Sequence, residues 1–420
     1  MTDTPTFIFT SLFLTLVFSG LLFRLWLSQR HIRHIRSHRA AVPAEFRERV
    51  SLEAHHKAAD YSCDKARFEQ FGMLIDTLIL LGLTLGGGID LLHRFWQGHS
   101  DGLFYGLALI LSLGFLTGII DLPLSLYRQF VIEARHGFNR MTPALFVSDL
   151  IKQIGLSLVL GAPLILGVLW LMQEMGERWW FYVWLFWMGF MLLIQFIFPT
   201  WIAPLFNRFT PLDNPELQTR IEALLQRCGF ASKGLFVMDG SRRSSHGNAY
   251  FTGFGRNKRI VFFDTLLTSL DPLEVEAVLA HELGHFHHRH ILQRLVMTFG
   301  LSLGFLYLLG QLLGSPWFYA GLGVNGSNTT LALILFFLTM PVFTFPFNPL
   351  FSLFARRHEF QADAYAARHS DAPALIRALL KLYKDNASTL TPDPLHSAVY
   401  DSHPPAAQRI AHLQTSGAAA

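Results

Sequence analysis

The chain is 420 residues long, 51% hydrophobic and only 15% charged, with a formal net charge of +4. A typical soluble domain carries about 25% charged residues, so the composition excludes an ordinary water-soluble protein. The positive charge sits mainly in a few connecting segments, which points to anionic lipid as its partner and not to nucleic acid.

Seven apolar runs, 7–27, 71–92, 103–127, 148–171, 179–199, 295–314 and 329–350, are each long enough to cross a hydrocarbon core of about 30 Å. No Lys or Arg precedes the first, and Arg30, Arg33, Arg36 and Arg39 follow it, so it reads as a retained span and not as a cleaved leader. Segment 28–69 holds nine Lys and Arg residues and the third connection three, whereas the second and fourth hold one each and the sixth, 315–328, none. Positive loops stay in the cytoplasm. The amino terminus is therefore expected outside and the carboxyl terminus inside, in a bacterial inner membrane, since the chain shows no evident eukaryotic sorting signal. The basic run "RHIRHIRSHR" (30–39) serves this topology signal or a lipid headgroup contact. Cys63 and Cys228 both fall inside, and no disulfide is expected.

Four regions follow: spans one to five with their loops (1–199), an inside catalytic region (200–294), spans six and seven (295–350), and an inside carboxyl-terminal region (351–420). In the second, "SSHGNAYFTGFGRNKRIVFFDTLL" (244–267) reads as two strands around a Gly-rich turn at 255–258. Such a hairpin is either structural, or an edge strand that binds a peptide through main-chain hydrogen bonds.

"DPLEVEAVLAHELGHF" (271–286) has helical apolar spacing, with Asp271 placed to cap it. His281 and His285 then share one face and can hold a single Zn²⁺, while Glu282 stands beside them as the base for a water. The trailing His287, His288 and His290 read as polar interfacial residues. In "RRHEFQADAYAARH" (356–369), Glu359 and Asp363 share a helical face, so Glu359 can be the third ligand and Asp363 an acceptor that orients a ligand histidine. Two His and one carboxylate leave zinc an open position, the catalytic arrangement. Two crossings separate His285 from Glu359, so both lie on one side of the membrane.

These motifs, together with "FVIEARHGFNRMT", "IAPLFNRFTPL", "NAYFTGFG" and "KDNASTLTPDPLHSAVYDSHPPAAQRI", resemble the type I CAAX prenyl protease family, integral-membrane zinc metalloproteases that include the a-factor-converting enzyme. The resemblance implies a mainly α polytopic fold, seven transmembrane helices forming a barrel around a hydrated chamber, with a small α+β metalloprotease region. It implies one Zn²⁺ per chain on His281, His285 and Glu359, with Glu282 as general base and acid and Asp363 behind the ligands. It places Asn248, Ala249, Tyr250 and Arg409 with the substrate and His403 at the oxyanion. Asp401 and the alanines after "SHPP" depart from the family's commoner "YSHPPL". The implied partners are a peptide or protein substrate, lipidated or membrane-associated, and the bilayer. A bacterial host suggests clearance of membrane or misfolded proteins. A seven-span metal transporter with a histidine-rich zinc site is the alternative, although carriers place ligands near the bilayer midplane and these lie outside the apolar runs.

Overall fold

The structure is a computed structural model that describes residues 3–232, 234–252 and 259–417. The chain is mainly helical. It begins with α1 (Thr4–Ser37), α2 (Leu52–Leu83), α3 (Gly88–Gln97), α4 (Gly102–Tyr127), α5 (Pro143–Glu174), α6 (Trp179–Ile197) and the short α7 (Ala203–Phe206). Among the described residues six helical segments are long and apolar enough to cross a membrane, and α2 with α3 passes the same test as a pair bent by 47°.

That bend divides the run 71–92, expected as one span. Gly87 adopts φ +80°, a conformation that a side chain disfavours, and the Thr84 hydroxyl donates back to the Leu80 carbonyl at 2.6 Å. The far end is then pinned: buried Asp90 accepts from the Asn325 amide at 2.9 Å, and buried His93 meets the Tyr105 hydroxyl at 2.5 Å. α1 is longer than its span. At 1.5 Å per residue it reaches about 50 Å against a core of about 30 Å, and its extension packs Ile32 and Ile35 on Ala59, Cys63 and Ala66 of α2.

Two apolar cores lie at opposite ends of the bundle. One gathers Phe13, Ile89, Leu109, Leu309, Tyr319 and Leu335; the other gathers Ile221, Phe262, Leu279, Leu283, Leu375 and Leu413 of the extramembrane regions. Between them Asp76, Asp121 and Lys152 are exposed although they lie within spans. Ionisable groups at that depth face water or protein rather than lipid, which makes the barrel's interior a hydrated chamber. A cavity of about 1500 Å³ follows α4 and α5, lined by Phe115 and Asp121 and, toward the extramembrane sheet, by Glu133, Arg243 and His246. Asp149 is committed to structure: Arg243 grips it through Nε at 2.8 Å and Nη2 at 3.0 Å.

The segment between the fifth and sixth spans carries four strands, β1 (Phe209–Pro211), β2 (Leu235–Met238), β3 (Ala249–Thr252) and β4 (Arg259–Phe263), in one sheet of order β1-β2-β4-β3. β3 and β4 pair antiparallel, Ala249 opposite Phe262 and Thr252 opposite Arg259, as the hairpin pattern predicts; the turn expected at 255–258 lies outside the described residues. β1 and β2, of three and four residues, were not expected. β3 is the edge, and no described strand covers its outer side. The remaining helices are α8 (Pro215–Arg227), α9 (Asp264–Ser269), α10 (Pro272–His287), α11 (His290–Leu312), α12 (Pro316–Gly321), α13 (Thr329–Thr344), α14 (Asn348–His369), α15 (Ala372–Asp385), α16 (Pro394–Tyr400) and α17 (Ala406–Gly417).

Candidate active site

α10 starts on a capping box: the Asp271 carboxylate accepts from the Glu274 amide at 3.0 Å, and Glu274 accepts from the Asp271 amide at 3.0 Å. Two of the orphan amides of the first turn are thereby satisfied. Ten residues of α10 are buried, Val275, Leu279 and Leu283 among them, so the helix is fixed along much of its length before any chemistry is considered. It packs directly on α14, with Gly284 against Ala362. A Cβ at Gly284 would sit 2.8 Å from the Ala362 Cα and 3.0 Å from its carbonyl oxygen. Only a residue without a side chain allows that approach, and it brings Glu359 across to the histidine face.

His281 Nε2 and His285 Nε2 stand 3.3 Å apart. Glu359 Oε2 lies 3.5 Å from the first and its Oε1 3.3 Å from the second. One ligand atom from each residue falls within a 4.8 Å cluster. His281 Nδ1 is 2.8 Å from Asp363 Oδ1. An ionised carboxylate only accepts, so Nδ1 carries the proton and Nε2 keeps its lone pair toward the cluster. Burial by itself would lower the His281 pKa, but the hydrogen bonds to Asp363 and Glu359 outweigh it and raise it to about 9.

Arg409 lies behind the cluster. It is 6% exposed and clamps Asp363 in a fork, Nε to Oδ2 at 2.8 Å and Nη2 to Oδ1 at 2.6 Å. Its Nη1 also stands 3.7 Å from Glu359 Oε2. His403 reaches the cluster from the opposite direction, its Nδ1 2.8 Å from Glu359 Oε2, with its side chain 63% exposed. The loop that carries it is held by Arg356, whose Nη1 donates to the Ser397 and Asp401 carbonyls at 2.8 and 3.2 Å. Glu282 is half-buried and makes no hydrogen bond or ion pair among the described residues.

β3 runs along α10, with the Phe251 ring edge-on to Phe286 at 4.9 Å. Asn248 is exposed just before the strand, and Ala249 and Tyr250 are half-buried on it. Asn248 Oδ1 accepts from the Ala249 amide at 2.8 Å.

His290 was expected at the membrane interface and is instead wholly buried. Its Nδ1 is 2.9 Å from His285 Nδ1, and its Nε2 is 2.8 Å from Gln361 Oε1. Neither His290 nor Gln361 carries a spacing signal that marks it, because their contact depends on the corner between α10 and α11. His287, by contrast, is exposed.

The family models settle the lineage. Residues 31–208 match the model described as CAAX prenyl protease N-terminal, five membrane helices, and residues 211–416 match peptidase family M48. The chain belongs to peptidase family M48. Relatives of this M48 chain include the CAAX prenyl protease 1 homolog of Oryza sativa subsp. japonica, 37% identical and covering 90% of this chain and 92% of that protein. CAAX prenyl protease 1 of Saccharomyces cerevisiae is 34% identical over 89% and 88% of the two. The crystal structure of S. mikatae Ste24p superposes with a TM-score of 0.89 at 31% identity, covering 98% of this chain and 99% of that one. The protein is thus a multi-pass membrane metalloendopeptidase, and the transporter alternative is set aside.

Proposed function

We propose that the metal is zinc, one ion per chain, held by His281 Nε2, His285 Nε2 and a Glu359 oxygen, and that this site hydrolyses peptide bonds at the cytoplasmic face of the membrane. The convergence of those three side chains within 4.8 Å carries the reading. Glu359 Oε2 is buried and makes no aligned hydrogen bond, with His403 Nδ1 at 2.8 Å, His281 Nε2 at 3.5 Å and Arg409 Nη1 at 3.7 Å; a buried carboxylate is favoured when it is paired, and a cation adds to that pairing. Two imidazoles and a carboxylate suit Zn²⁺ in its catalytic form.

When bound, zinc lowers the pKa of a water toward ~7 and polarises the peptide carbonyl. Glu282 removes the proton from the attacking water and delivers it to the leaving amine. Asp363, fixed by Arg409, holds His281 in the ligating tautomer. His403 is placed to donate to the oxyanion from the exposed side. Asn248, Ala249 and Tyr250 present the open edge of β3, on which an extended peptide adds as a further strand, and pairing through the main chain tolerates many side chains. The chamber beneath admits membrane-associated or lipidated chains; the relatives are named for prenylated substrates, and in a bacterial inner membrane the same geometry serves the clearance of membrane or misfolded proteins. No nucleic acid enters this reading.

Glu282→Gln tests it. The variant should fold and keep about one zinc per chain, while hydrolysis of a quenched fluorescent peptide by detergent-purified protein falls at least about 10²-fold, the lower range for general acid and base catalysis. Cleavage at the wild-type rate would sink the assignment.

A further inference from the structure

We propose that His290 and Gln361 are positioning residues for the metal site: an imidazole–amide relay that fixes the tautomer and the ring plane of His285. This rests on the reading of His285 as a metal ligand. The relay can be followed proton by proton. Gln361 Oε1 is an acceptor, so the ring nitrogen 2.8 Å away, His290 Nε2, is the one that carries hydrogen. A neutral imidazole has a single N–H, which leaves His290 Nδ1 with a lone pair. That lone pair faces His285 Nδ1 at 2.9 Å, so the His285 proton lies on Nδ1. His285 Nε2 is then a lone pair, directed at His281 Nε2 and Glu359 Oε1 at 3.3 Å each. Ligand histidines are commonly oriented through their other nitrogen by a carboxylate or carbonyl. Here His281 leans on the carboxylate of Asp363, and His285 leans on a neutral relay.

The fold builds the relay deliberately. Arg289 takes a left-handed conformation, φ 56°, at the corner between α10 and α11, which is uncommon for a residue with a side chain. The corner turns His290, first residue of the sixth span's helix, back beneath His285. The His290 ring is stacked on His358 at 3.9 Å with planes 8° apart, and His358 Nε2 is held by Gln293 Oε1 at 3.1 Å. Gln361 comes from α14, two residues beyond Glu359 and two before Asp363, so a single helix supplies a ligand and the ends of both supporting chains.

The decisive variants are His290→Phe, which keeps a flat ring on His358 and deletes the acceptor, and Gln361→Leu, which deletes the far end while leaving His290 in place. Each purified protein is loaded with Zn²⁺, release to a chromogenic chelator is timed, the visible spectrum of the Co²⁺-substituted form is recorded, and the metal-free form is melted. We expect zinc affinity to fall about 10- to 100-fold in His290→Phe, the range seen when such outer partners are lost, and less in Gln361→Leu. The Co²⁺ bands should shift, any fall in metal-free melting should be too small to account for the lost zinc affinity, and His290→Asn, which restores an acceptor oxygen, should recover part of the loss. Wild-type affinity and spectrum in both deletion variants would overturn the relay, and so would losses matched in every variant by lower metal-free melting, the mark of packing alone. Absence of stoichiometric zinc in the wild-type protein would overturn the metal reading and the relay together.

Discussion

Gly284→Ala probes the contact on which the ligand set depends. The added Cβ would lie 2.8 Å from the Ala362 Cα, whereas carbon atoms pack at about 3.5–4.0 Å. The obstacle is backbone, so no rotamer change relieves it, and α10 and α14 must part by roughly 0.7–1 Å. Glu359 lies one turn before Ala362, and His281 and His285 flank Gly284, so the displacement falls on the ligands, whose distances tolerate about ±0.2 Å. For stability two terms oppose: Ala in a helix interior gains about 0.5–1 kcal/mol over Gly, and overpacking costs about 1–3 kcal/mol. The net loss is small enough for the protein to fold. Zinc affinity is the sharper readout and should drop at least about tenfold, with peptide hydrolysis falling alongside it. Chelator competition and metal analysis of detergent-purified protein measure the first, and a quenched peptide the second. Wild-type affinity with wild-type activity would show that the helices have slack, and would refute the claim that Gly284 sets their distance.

Two further outcomes are expected. With Cys63 and Cys228 replaced, a cysteine in place of exposed Ser327 should react with a membrane-impermeant maleimide on intact cells, and one in place of exposed Gln414 only after permeabilisation; the reverse pattern would invert the topology. Asn248→Ala should leave zinc content and melting unchanged and slow cleavage of peptides with unrelated side chains by roughly 5- to 30-fold, one or two hydrogen bonds at about 1 kcal/mol each, whereas equal rates would return β3 to a purely structural part.

What the sequence disclosed and what it hid follow from the range of the interactions. His281, His285 and Glu282 are legible because a helix fixes their relative directions, and Glu359 with Asp363 because one turn separates them. The hairpin is legible for the same reason, strand alternation being local. The break after Leu83 is hidden, because glycine reads as neutral in a hydropathy scan and "LTLGGG" continues the apolar run. β1 and β2 are too short to hold a pattern. The Arg409 clamp on Asp363 is hidden, since its partner lies 46 positions away. His290 is the instructive case: its burial depends on a left-handed residue at a corner, and nothing in "HFHHRH" distinguishes the histidine that turns inward from the one that faces solvent.

The charges around the cluster account for the remaining design. Glu282, Glu359 and Asp363 contribute three negative charges and Arg409 one positive. With both histidines in the neutral form that ligation requires, the locality would carry two uncompensated negative charges. The elevated His281 pKa of about 9 expresses that imbalance, because a proton on its ring partly relieves it. A dication relieves it fully. Arg409 is then intelligible as a limit on the imbalance: without it the excess would be three charges, Asp363 would compete for the ion or for a proton, and its grip on His281 Nδ1 would slacken. Arg409 grips Asp363 at 2.6 and 2.8 Å and stands 3.7 Å from Glu359 Oε2, so on the proposed reading Asp363 stays paired with it while Glu359 keeps its lone pairs for the metal.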